Sequence, residues 1–182
     1  MKKLIVFVFI STLAITASFA QMGKPFPHLD SKKLSGQAFS LPDSVKGKYT
    51  IIGIAFSKKA EESLISWYQP AYQTFIQKKK TMFAAEVYNV NTYFVAVVTG
   101  TNKVAAGDIV KTIKAQTQKE LQPYVLTYVG EFASYKKSLN ITENDEPYIF
   151  VLDEKGVVSY LTSGAYTAKK LEEIEEAVST DE

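Results

Sequence analysis

The chain has 182 residues, is 46% apolar, and carries 21 basic against 19 acidic side chains, one histidine and no cysteine. Every basic residue is lysine, so no guanidinium can grip a carboxylate or phosphate in a two-pronged way, and a formal charge of +2 offers little to a nucleic-acid backbone. Without cysteine there is neither disulfide stapling nor thiolate chemistry, and stability rests on an ordinary core of one domain's size.

Lys2 and Lys3 open the chain, Leu4 to Ala14 form an apolar core, and Ser18-Phe19-Ala20 sets small residues where a signal peptidase cuts. Residues 1–20 are expected to be a secretory signal, with a single domain over 21–182. The apolar stretch is interrupted by Ser11, Thr12, Thr16 and Ser18, short of the roughly 20 residues a membrane anchor needs. Cleavage removes two lysines and no acid, leaving a neutral chain, periplasmic or secreted, with no stable membrane insertion.

An extended arm is expected at Gly23 to Pro27 and a small hairpin over Leu34 to Leu41 around Gly36, stopped by Pro42 and Asp43. Tyr49 to Phe56 is a β-branched run continuous enough for a strand buried on both faces. Leu64, Tyr68, Ala71, Tyr72 and Phe75 then recur at helical spacing, with Pro70 set to kink the helix. After a solvated run, Lys78 to Lys80, and a helical turn comes a second buried strand, Asn91 to Val98. A helix over Gly107 to Leu121 follows, with Ile109, Val110, Ile113 and Leu121 on its apolar face. Next come a strand at Tyr124 to Val129 and a short helix at Glu131 to Leu139. Tyr148 to Asp153 and Val157 to Thr162 form a hairpin turned at Gly156. A closing helix starts at the N-cap Thr167, and the acidic tail after Val178 reads as disordered. The alternation predicts an α/β three-layer sandwich with a mostly parallel central sheet, an antiparallel C-terminal hairpin and a closing helix.

The stretches GKPFPHLDSKKLSGQAFSL, AFSKKAEESLISWYQP and EPYIFVLDEKGVVSYLTSGAYTAKKLEEI together resemble extracytoplasmic thioredoxin-like proteins of the TlpA and AhpC/TSA type, from about Gly23 to Val178. The resemblance implies a thioredoxin-like fold and a cis proline at Pro147 facing the redox turn. In that family the turn reads C-x-x-C. Counting back from Pro70 places the two positions on Glu62 and Ile65; counting forward from Phe56 places them on Glu61 and Leu64. Neither register offers a nucleophile, so thiol–disulfide exchange and thiol peroxidase chemistry are excluded. A weaker resemblance, carried by AFSKKAEESLISWYQP, TYVGEFASYKKSLNI and YIFVLDEKGVVSY, is to mitochondrial ATP synthase assembly factors, thioredoxin-like proteins that also lack the redox pair.

The former redox groove is therefore the expected binding surface, comprising Lys58, Lys59, Glu61, Glu62, Ser63, Trp67, Glu146 and Pro147. Lys58 or Lys59 is expected to pair with the acidic loop Glu143, Asp145 and Glu146. Carboxylates in a helix's first turn ordinarily just stabilise its positive end. Most of the aromatic residues, from Trp67 and Phe83 to Tyr135, fit core positions. His28 has no second soft ligand, so no metal and no cofactor are expected. Two functional classes follow. One is a redox-inactive module that binds an envelope or secreted protein and assists assembly. The other is a non-thiol enzyme using Glu61, Glu62 or Tyr166. A closed pocket with strongly shifted carboxylates favours the enzyme; an open groove favours binding.

Overall fold

The computed structural model describes residues 21–77 and 88–179. The signal segment, Lys78 to Lys80 with the helical turn after it, Phe83, and the tail from residue 180 lie outside the described residues. The described residues hold seven strands and four α-helices: β1 (Leu29–Lys33), β2 (Ala38–Leu41), β3 (Thr50–Ala55), α1 (Lys58–Ala71), β4 (Asn91–Val98), α2 (Ala106–Gln116), β5 (Val125–Val129), α3 (Ala133–Ser138), β6 (Tyr148–Leu152), β7 (Val158–Ser163) and α4 (Ala168–Val178).

All strands form one sheet in the order β2-β1-β5-β4-β3-β6-β7. The central strands β5, β4 and β3 are parallel, and β6 and β7 close one side as the antiparallel hairpin expected from Gly156. The N-terminal hairpin extends the same sheet: β1 pairs antiparallel with β2, and with β5 through Lys32–Thr127 and Lys33–Leu126. Antiparallel pairing thus flanks the parallel centre on both sides.

Every residue of β3 is buried, because β4 and β6 pair with both its edges and a core lies on each face. One face packs Ile52, Ile54, Val95, Leu126 and Phe150 against Phe132 and Leu139, which flank α3. The other packs Ile51, Phe94, Ile149 and Val151 under Leu64, Trp67 and Ala71 of α1 and Ile174 and Val178 of α4. Gly53 is needed here, since a Cβ would lie 2.7 Å from Leu64 Cδ1 and 2.9 Å from Phe94 Cδ1.

Two helices differ from their predicted form. After Pro70, α1 ends at Ala71 and passes directly into a π-helical segment, Tyr72–Ile76. The helix α2 stops at Gln116 rather than reaching Leu121. Thr117 turns extended while its hydroxyl donates to the Ile113 carbonyl, and the Gln122 side-chain amide donates to the carbonyls of Lys114 and Thr117. Leu121 is still buried, but from a turn.

The bond before Pro147 is trans, which corrects the expectation drawn from the resemblance. Among the described residues the cis bond is Leu41–Pro42. Proline isomer state is set by tertiary context rather than by local sequence.

Candidate functional site

Ser57 ends the loop after β3 and caps α1, its hydroxyl accepting from the Ala60 amide at 3.1 Å. The same hydroxyl lies 3.1 Å from Asp145 Oδ1, to which it donates. Lys59 Nζ stands 3.7 Å from the other oxygen of Asp145. The loop before β6 is thus tied to the start of α1 by one acid. The ion pair is exposed on both sides and contributes between nothing and about 1 kcal/mol, so the hydroxyl contact is the firmer tie. Asn144 in the same loop accepts from Lys136, whose ammonium also lies over the Phe56 ring.

The candidate residues separate into four places. Lys59, Glu146 and Pro147 belong to this loop contact: Glu146 is exposed and accepts from Ser163, while Pro147 is buried. Glu62 is exposed to solvent, and Ser63 offers only its carbonyl, to Ser66. Trp67 is 2% exposed, a correction to its placement on a groove surface. Its indole N–H donates to the Gly164 carbonyl at 3.0 Å and its ring meets Tyr166 edge-on, so it holds the loop after β7 to α1. Lys58 and Glu61 line a cavity.

That cavity, of about 330 Å³, opens at the C-terminal ends of β3 and β4 between α1 and α2. Its walls are Phe56, Leu64, Tyr68, Val98, Ile109 and Ile113, with Ser57, Lys58, Glu61 and Asn102 at its polar positions. A second cavity of about 230 Å³ continues along the two helices, and Glu61, Tyr68 and Ile113 line both. Together they form a groove open to solvent. It exists because α2 is seated loosely, with no residue of that helix buried.

Glu61 is half-buried at the waist of the groove, its carboxylate making no hydrogen bond or ion pair among the described residues. Burial raises its carboxyl above the usual range, the neighbouring Glu62 adds to this, and Lys58 partly offsets it. Tyr68 packs on Phe94 with centroids 4.4 Å apart, and burial followed by the Glu61 charge raises its phenol strongly. Neither Glu62 nor Tyr166 lines the groove, so of the three acid–base candidates Glu61 is the one that reaches it. Among the described residues no cluster of three or more His, Asp or Glu could hold a metal ion, and no helix is long and apolar enough to cross a membrane.

Sequence reasoning missed Tyr68, Asn102, Ile109 and Ile113 as groove residues. The helical spacing of Tyr68, Ile109 and Ile113 signals an apolar face, but not that the face is left half-covered; Asn102, in the turn after β4, carries no such signal.

A family profile described as ATP10 protein matches residues 12–180. A comparison with curated proteins finds no match. Among solved structures, StoA from Bacillus subtilis is similar, with 19% identity over 81% of this chain and 96% of that one and a TM-score of 0.51. The exposed lipoprotein thioredoxin Etrx1 from Streptococcus pneumoniae shares 14% identity over 82% and 99% of the chains, with a TM-score of 0.53. The reduced 2-Cys peroxiredoxin of Plasmodium vivax shares 12% identity over 86% and 80%, with a TM-score of 0.52. The fold is thioredoxin-like, and this chain brings no cysteine to it.

Proposed function

Because the chain belongs to the ATP10 protein family, we propose that it is a redox-inactive thioredoxin-like module that binds protein segments and serves in assembly or as a chaperone. The observation that carries this reading is the open groove beside the Ser57-capped turn. The turn holds a hydroxyl engaged with Asp145, and the space next to it is apolar and accessible. An open groove with one unpaired carboxylate fits side-chain anchoring better than acid–base chemistry, which needs a second positioned group. Its partner is expected to be an envelope or secreted protein. Export rests on Lys2, Lys3, the apolar core and the small residues before Gln21.

A photo-crosslinking side chain at Asn102, on the groove rim, tests the reading in the native envelope against the same group at Lys155. Lys155 lies in the β6–β7 turn, at the opposite end of the sheet. A discrete crosslinked protein from position 102 and not from 155 supports it. The same products from both positions, or none from either, contradicts it.

A further inference from the structure

The groove between α1 and α2 has a chemical signature narrower than apolarity. Phe56, Leu64, Tyr68, Ile109 and Ile113 make much of its lining hydrocarbon and aromatic, Asn102, Gln69 and Gln116 add polar positions, and at its waist stands the Glu61 carboxylate with no side-chain partner among the described residues. A carboxylate in the first turn of a helix is normally accounted for by the positive end of the helix. Glu61 differs, since it lines both cavities beside the Tyr68 ring and is partly withdrawn from water. Its charge gains little from Lys58, whose ammonium is not within ion-pair distance. A desolvated acceptor left unpaired costs free energy that an incoming cation would recover.

Ile65, on the adjoining face of α1 and lining the second cavity, is 53% exposed, and the apolar face of α2 is only half-covered. The unpaired charge and the uncovered apolar surface lie together along one line.

The groove also limits the form of its occupant. It runs between two helices, whose backbone groups are already bonded within each helix. Among the described residues the free strand edges are those of β2 and of β7 beyond Val158, where the arm around Lys24 pairs, at the two ends of the sheet. An extended peptide would gain no main-chain pairing in the groove, so recognition there proceeds through side chains, as in helix-in-groove binding. From Lys58 to Gln69 the wall contributed by α1 is about 16 Å long, three turns of a bound helix.

We propose that the groove between α1 and α2 receives an amphipathic helix of a partner protein that carries one lysine or arginine on its apolar face, and that this cation is received by Glu61 beside Tyr68. This inference rests on the binding-module reading and adds to it the chemistry of the partner segment.

The probe is a synthetic 18-residue amphipathic helix with a single lysine at the centre of its leucine face. Two sibling peptides carry norleucine or glutamate at that position. Affinities are measured by fluorescence anisotropy at low and at physiological salt for the wild-type protein, E61Q, E61K and I113D, with circular dichroism confirming that each variant is folded. The wild type should bind the lysine peptide about tenfold more tightly than the norleucine peptide, the scale of one partly buried charge pair. E61Q should abolish that preference, and E61K should transfer it to the glutamate peptide, the test that a general loss of fold cannot mimic. I113D should weaken all three peptides.

Equal binding of the three peptides to the wild type, lost in I113D, overturns the cation assignment while leaving the groove as a binding site. Binding unaffected by I113D, or concentration-dependent self-association abolished by I113D with no peptide binding, overturns the proposal by placing the partner elsewhere or making it a second copy. No peptide binding together with no crosslink from position 102 removes both readings.

Discussion

The indole N–H of Trp67 donates to the carbonyl of Gly164 across 97 positions of sequence, at 3.0 Å, and so ties the middle of α1 to the loop that leads into α4. Two further contacts reinforce the tie: the Tyr166 amide donates to the Ser66 hydroxyl at 3.0 Å, and the Tyr166 ring meets Trp67 edge-on. Replacing Trp67 by phenylalanine keeps most of the apolar volume but strands a carbonyl, and should cost about 1–3 kcal/mol. Trp67→Ala should cost about 3–5 kcal/mol. Urea unfolding at neutral pH checks both, and a Trp67→Phe variant as stable as wild type would mean that the hydrogen bond contributes nothing.

Gly53 predicts a cost of the opposite kind. An alanine methyl would meet Leu64, Phe94 and Ile149 side chains at 2.7, 2.9 and 3.2 Å. Each can move a little, but all three lie in the core between β3 and α1, so Gly53→Ala should destabilise by about 1–3 kcal/mol through overpacking. The same unfolding measurement applies, and a neutral effect would show that this core has slack.

His28 gives a pH signature. Its Nδ1 lies 2.9 Å from Asp43 and its Nε2 3.1 Å from Asp30, while Lys46 and Ser40 donate to those same carboxylates. Ionised carboxylates only accept, so both ring nitrogens can donate at once only when the ring is an imidazolium. Its pKa is raised above 6.5, first by the Asp43 hydrogen bond and then by the Asp30 charge. A raised basic pKa means that the associated stability is present below pH 6.5 and is lost as pH climbs through the folded-state value. Melting curves should show His28→Gln destabilised relative to wild type at pH 6 and level with it at pH 9.

Glu61 titrates with the other consequence. Its folded carboxyl is raised above 4.5, chiefly by burial, so ionising it in the folded state is unfavourable and wild-type stability falls as pH rises through that value. Glu61→Gln should therefore gain in melting temperature over wild type at pH 7 and lose that gain at pH 4. An unchanged difference at the two values would mean that Glu61 is solvated like any surface acid.

Much of the fold was legible in the sequence because its strands are β-branched runs and its turns use glycine. Asn91 to Val98 was read end to end, and Thr167 marked the start of α4 by its capping hydroxyl. The tie between the start of α1 and the acidic loop was also legible, as Lys58 or Lys59 against Glu143, Asp145 and Glu146; the pair formed is Lys59 with Asp145. The role of Trp67 was not, since an aromatic beside a vestigial turn reads equally as rim or as core until Gly164 is seen opposite it. The trans state of Pro147 and the groove were likewise hidden. Ile109 and Ile113 signal a buried stripe by spacing alone, and only the loose seating of α2 leaves them beside Glu61.

Hydrogen–deuterium exchange on the protein with and without the partner captured at position 102 tests the central claim most directly. Slowed exchange should fall on Lys58 to Gln69 and Ala106 to Gln116, the two walls of the groove. Protection confined to the β2 or β7 edges, or to the loop from Glu143 to Pro147, would contradict it.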